Sequence, residues 1–351
     1  MSSKAAGKTL GLVFKTRIPV IAFFFAASYA LWIVTEDYAI RNYVSVLPAL
    51  VAVQIFLNDF LHLYLAYEVD VGRRWFSLLI APGTILHELS HLFSAVLTGC
   101  YVTDVSLFKY NPRSGLLGYV GYTQPKDKWI VLRNLIVGFA PFFGCGTILI
   151  ALSYFMSGGQ LPDLNAVHVD SYASIYTVFY GLGLDYLGKI ILYVIPNPLL
   201  WIILYLQFCF ALGSASSTQD IKIFLTSLVK HPVSTVFILL LSYCLLIVSE
   251  STSEIYGVSP QDVVLTLLAS AILILAYSIT VLACSIPLAY VGDKFVEIKF
   301  SERFVTVMAS VLVYLVSSVA IGLSTGKSVA LALLAFASLI FYFKKQHLFH
   351  A

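Results

Sequence analysis

Charge is what this chain has least of. Only 11% of its 351 residues are Asp, Glu, Lys or Arg, where a soluble globular chain carries about 25%. That excludes an ordinary water-soluble domain. The formal net charge is +3, and the basic residues are scattered among short loops, so no nucleic-acid partner is expected. Cysteine is sparse as well: Cys100, Cys145, Cys209, Cys244 and Cys284 form no C-x-x-C pair. A disulfide framework and a zinc knuckle are thereby excluded, and the thiols read as small apolar residues. Internal repeats, low-complexity tracts and lipidation motifs are missing. No small-residue cleavage site follows the basic N-terminus, so no removed signal peptide is expected.

What is there is apolar: 60% of the residues are hydrophobic. They gather into runs at Ile18–Thr35, Tyr43–Tyr67, Phe76–Thr98, Ile130–Met156, Lys189–Gly213, Val233–Val248, Val263–Val291, Phe304–Leu323 and Ser328–Phe343. Most are long enough for a bilayer, which needs about 20 residues per helix. The expected fold is an all-α polytopic membrane protein with about eight or nine transmembrane helices. The run at Tyr43–Tyr67 is less clean, holding Pro48, Asn58, Asp59 and His62; it reads either as a span or as a re-entrant segment. Tyr101–Gln124 alternates and is β-branched around a turn signal, Asn111-Pro112-Arg113-Ser114-Gly115, which predicts a small β-hairpin or an exposed loop. Tyr172–Leu187 reads as an interfacial helix. Three regions follow: N-terminal membrane segments over 1–75, a core over 76–230, and C-terminal transmembrane helices of unassigned role over 231–351.

The core is built around Ala81–Thr98, which sets His87, Glu88 and His91 in an otherwise apolar run. Residues four apart share a helix face, so both imidazoles can reach one metal with Glu88 beside them. This is the H-E-x-x-H spacing. Neutral imidazoles are good ligands for Zn2+, one per chain, and the carboxylate is placed to take a proton from activated water. Ionisable groups inside a span are costly, which argues against satisfied core histidines.

A catalytic zinc site commonly takes three protein ligands, so one more is needed. Loop charge supplies a clue to its side. Lys109, Arg113, Lys126 and Lys128 near the hairpin, then Lys222, Lys230, Lys294, Lys299, Arg303, Lys344 and Lys345, all fall on one side if the spans alternate. The positive-inside rule makes that side cytoplasmic, with the hairpin and C-terminus there. The basic N-terminal tail disagrees unless the Tyr43–Tyr67 run is re-entrant or the tail is external. His87 lies about 16 Å from the cytoplasmic end of its span by helix rise. Asp220 follows the fifth span on that side and is the first candidate; its other reading is a helix N-cap. Asp185 and the Asp59/His62 pair remain open.

His87-Glu88-Leu89-Ser90-His91 in an apolar helix, a hairpin after it, then a span and a further span bringing an aspartate from the cytoplasmic side resemble the site-2 protease class of intramembrane zinc metalloproteases, the M50-like peptidases. The resemblance covers roughly Phe76 to Asp220. The family's Asn-Pro element normally lies close to an Asp-Gly pair, whereas here Asn197-Pro198 is distant from Asp220, which precedes Ile221. The resemblance implies a divergent zinc metalloendopeptidase of the cell membrane that cleaves transmembrane protein substrates within or near the bilayer. His87, His91 and Asp220 would hold the metal and Glu88 would be the base. The hairpin edge at Tyr119–Tyr122, with Gly121 and Tyr119, would bind substrate as an added strand; Asn134 and Asn197 are candidates for the oxyanion, their other reading being surface or packing asparagines. Two other classes stand beside it: a catalytically inactive scaffold of the same fold, and a transporter.

Overall fold

A computed structural model describes residues 3–34, 38–67, 77–109, 117–156, 197, 200–238, 240, 260–317, 321 and 325–349. Helices α1 (Ser3–Val34) and α2 (Tyr38–Tyr67) are followed by α3 (Ala81–Leu97), strands β1 (Tyr101–Ser106) and β2 (Tyr119–Thr123), and α4 (Ile130–Met156). Then come α5 (Trp201–Gly213), α6 (Thr218–Lys230), α7 (Pro260–Glu297), α8 (Phe300–Leu315) and α9 (Thr325–Phe349). The architecture is helical with one small antiparallel sheet.

Among the described residues, four stretches are long and apolar enough to cross a membrane: Tyr43–Leu61, Ile130–Met156, Trp201–Lys230 and Val264–Glu297. That is fewer than the eight or nine expected. The motif helix α3 has 17 residues, and the described apolar segments of α1 and α9 are Ile18–Ile33 and Leu331–Phe343. Helix α8 has 16 residues and opens on the polar turn Ser301–Arg303. Parts of the expected runs at 189–199 and 233–248 lie outside the described residues, as do the turn signal at 111–115 and the expected interfacial helix at 172–187.

Local chemistry sets the ends of α3. Pro82 falls in the first turn, where a missing N–H leaves no intrahelical bond unmade, so it starts the helix. Gly83 lets α5 come against this turn, since a Cβ there would sit 1.9 Å from the Cys209 carbonyl oxygen. Such small-residue crossings are how helices approach closely in a membrane. At the other end Gly99 N–H donates to the Val96 carbonyl (3.0 Å) and Cys100 N–H to the Ala95 carbonyl (2.8 Å). Gly99 carries φ 74, the left-handed residue of a Schellman stop. The chain leaves this stop directly into β1, so the sheet is anchored to the motif helix.

Strand β1 pairs antiparallel with β2, from Tyr101 opposite Thr123 to Ser106 opposite Tyr119, with a bulge between Val102 and Asp104. The expected hairpin is therefore present as a two-stranded sheet. Helix α4 lies against α3, and α5 against both. Beyond α5 the apolar stretch breaks at 214–217 before resuming as α6. The flanking helices close over this core. Gln54 Nε2 on α2 donates to Ser278 Oγ on α7 (2.8 Å), and that hydroxyl donates to the Ala211 carbonyl of α5 (2.7 Å). In a setting without water, each such bond satisfies groups that would otherwise be costly to bury.

Candidate metal centre

His87 and His91 lie one turn apart on α3, their ring centroids 4.9 Å from each other. Backbone carbonyls orient both. His87 Nδ1 is 2.7 Å from the Gly213 carbonyl oxygen, and His91 Nδ1 is 2.8 Å from that of Val137. A carbonyl only accepts, so each Nδ1 carries a proton, and in the neutral ring each Nε2 then keeps its lone pair. This is the arrangement that prepares an imidazole for a metal. The two carbonyls belong to α5 and α4, so the helices that flank α3 fix its ring directions.

Asp220 completes the group. The ligand atoms of His87, His91 and Asp220 lie within 4.8 Å of one another, the one such group of His, Cys, Asp or Glu among the described residues. His91 Nε2 stands 3.6 Å from Asp220 Oδ2. That is too long for a direct hydrogen bond, and close to the edge of about 3.4 Å for a tetrahedron whose corners lie about 2.1 Å from an ion. The cluster can hold a metal ion. Two imidazoles and one carboxylate form a donor set that suits a hard or borderline divalent cation with positions left open.

The broken helix brings Asp220 in. Ser217 is the N-cap of α6 and Asp220 its third helical residue. Ser217 N–H donates to Asp220 Oδ2 (3.1 Å), while Asp220 N–H donates to Ser217 Oγ (3.2 Å). This reciprocal capping box corrects the N-cap reading of Asp220: the carboxylate closes the cap from the third position and also faces the histidines. Thr218, at the first helical position, donates its hydroxyl proton to Asp59 on α2. Asp59 therefore lies behind the ligand turn, outside the converging group. The His62 side chain and Asp185 lie outside the described residues.

Glu88 is buried, 7% exposed, and lines a cavity of about 250 Å³ together with His87, His91, Asp220, Asn58 and Tyr122. Its pocket wall is fixed by Gly118, where a Cβ would come 2.6 Å from Glu88 Cγ. Only a glycine leaves the strand so close to the acid. Burial pushes the Tyr122 phenol up to about 12, with the Asp220 charge adding to the rise, so this cavity-lining hydroxyl stays protonated.

The other expected positions fall differently. Tyr119 lines the cavity and donates its hydroxyl proton to Asp104 across the sheet. Gly121 sits opposite Asp104 at the bulge and is not part of the cavity wall. Asn134 is buried, its Oδ1 accepting from Gln124 Nε2 (3.1 Å), and it too lies off the wall. Asn197 is exposed and away from the cavity. The sequence reading missed Asn58 as a wall residue; its signal was an amide, 7% exposed, within an apolar run. Compared with family models, curated proteins and solved structures, the chain matches none of them.

Proposed function

We propose that the protein is a membrane-embedded zinc metalloendopeptidase of the site-2 protease kind, cleaving peptide bonds within or near the transmembrane segment of membrane proteins. The observation that carries this reading is the convergence of His87, His91 and Asp220 beside a buried Glu88. A binding scaffold would have no use for an acid at that place. Zinc held by the three ligands would polarise the scissile carbonyl and lower the pKa of water toward about 7. Glu88 removes a proton from the attacking water and returns it to the leaving amine. The carbonyls of Val137 and Gly213 keep the two imidazoles aimed through the cycle. Asn58 and the protonated Tyr122, both on the cavity wall, supply donors for the substrate carbonyl, in place of Asn134 and Asn197.

Substrate enters as an unwound segment of a transmembrane helix, because a helical backbone has no free carbonyl to present. Strand β2 forms one wall through Tyr119, Val120 and Tyr122, and an extended segment pairs beside it as an added strand. The lysines and arginines near the hairpin and in the tail set both in the cytoplasm, in a multi-pass protein of the cell membrane. The test compares cells carrying the wild type with cells carrying Glu88→Gln by quantitative membrane proteomics. At least one single-span protein should accumulate intact with the variant and appear shortened with the wild type. Identical membrane proteomes would contradict the reading.

A further inference from the structure

The metal-ligating residues come from α3 and α6, yet the turn that carries Asp220 is also held from outside that core. Asp59 on α2 is 7% exposed, and a carboxylate buried in an apolar run is costly unless something uses it. It accepts the hydroxyl proton of Thr218, two residues before Asp220. Its charge also faces the N-terminus of α6, where the free N–H groups favour an anion. The neighbouring Asn58, with Leu61 one turn on, lines the cavity. One turn of α2 thus touches the ligand-bearing turn with one residue and the cavity with two others.

We propose that Asp59 is a positioning residue of the metal site, fixing Thr218 and through it the direction of the Asp220 carboxylate. The inference rests on the zinc reading above. Ser217 sets the cap of α6 but moves with it, since both are on one segment; Asp59 ties that segment to a different helix. Helix α2 packs along its length against α1 and α7, so Asp59 refers the ligand to the rest of the bundle, and the Gln54–Ser278 bond is only one of the contacts that hold it there. Groups that orient a metal ligand typically contribute about 10- to 100-fold in affinity.

The experiment measures zinc affinity of the purified full-length chain in detergent, by competition with a chromophoric chelator. Asp59→Ala and Thr218→Val should each weaken zinc about 10- to 100-fold, Thr218→Ser should keep the wild-type value, and the double variant should be no weaker than Asp59→Ala alone. Gln54→Ala loosens α2 without touching Thr218; it should lower the melting temperature and leave zinc affinity within about two-fold. Wild-type affinity in Thr218→Val, multiplying effects in the double variant, or an equal loss in Gln54→Ala would each overturn the proposal. Should Asp59→Ala fail to fold, Thr218→Val and Thr218→Ser decide the matter. A wild type that binds no zinc removes the metal reading itself, whereas a zinc-binding wild type with indifferent variants removes only the role of Asp59.

Discussion

Helix α3 and the broken stretch from α5 to α6 bring ligands to the same point by opposite routes. In α3 the work is local: His87 and His91 share a face because they are four residues apart, and Glu88 follows from the same turn. In the second region nothing local brings Asp220 to the histidines. The apolar stretch has to stop at 214–217, Ser217 has to cap the new helix, and α4 has to supply the surface on which α6 lies. A motif that is regular in sequence tolerates changes around it; a ligand that depends on a break and on three helices does not. The two regions should therefore fail differently.

The largest effect should come from the local region. Glu88→Gln keeps the size of the side chain, so it should leave zinc content unchanged and lower peptide hydrolysis about 10²- to 10⁴-fold, the usual range for a lost general base. Turnover in reconstituted vesicles measures it, and equal loss of metal would show that Glu88 serves the fold instead. The next effect tests the packing that joins the two regions. Gly83→Ala drives a Cβ to 1.9 Å from the Cys209 carbonyl oxygen, and backbone cannot yield there as a side chain would. The cost should be about 1–3 kcal/mol of stability, read as a lower melting temperature, with weaker zinc binding because α5 also carries the carbonyl partner of His87.

Smaller effects sharpen the comparison at its edges. Asn58→Ala should reduce kcat about 10- to 100-fold with metal content unaltered, since one hydrogen bond to a developing charge is worth about 1.5–3 kcal/mol. An altered metal content would move Asn58 from substrate to structure. The smallest change is expected at the surface. Arg133 grips Asp127 through both terminal guanidinium nitrogens, at 2.6 and 2.8 Å, and this contact holds the Asp127 carboxyl below the usual carboxylate range. The aspartate is exposed, so Asp127→Ala should shift the melting temperature little and leave hydrolysis unchanged.

Legibility in the sequence followed the same division. His87, Glu88 and His91 could be read because their relation is fixed by helix period alone. The hairpin could be read because alternation and a turn signal are local too. Asp220 was one candidate of three, reached from loop charge and depth; the capping box with Ser217 is local, but the contacts that bring this turn to the histidines and to Asp59 join distant segments. The carbonyls of Val137 and Gly213 that orient the imidazoles leave no trace in residue type, because every residue has one. The closeness of Gly118 to Glu88 Cγ needed the fold. Asn134 was a candidate for the oxyanion, yet its amide bonds to Gln124, while Asn58 sits on the cavity wall. The described residues hold fewer spans than expected in part because hydropathy alone does not show where an apolar helix ends: α3 stops at Leu97 after 17 residues.

The most direct measurement is the metal content of the purified protein by mass spectrometry, with the wild type beside His87→Ala and Asp220→Ala. About one zinc per chain in the wild type, lost in both variants, is the predicted result. A folded wild type that carries no zinc and takes up none when it is offered, or a His87→Ala variant that retains its zinc, would contradict the account.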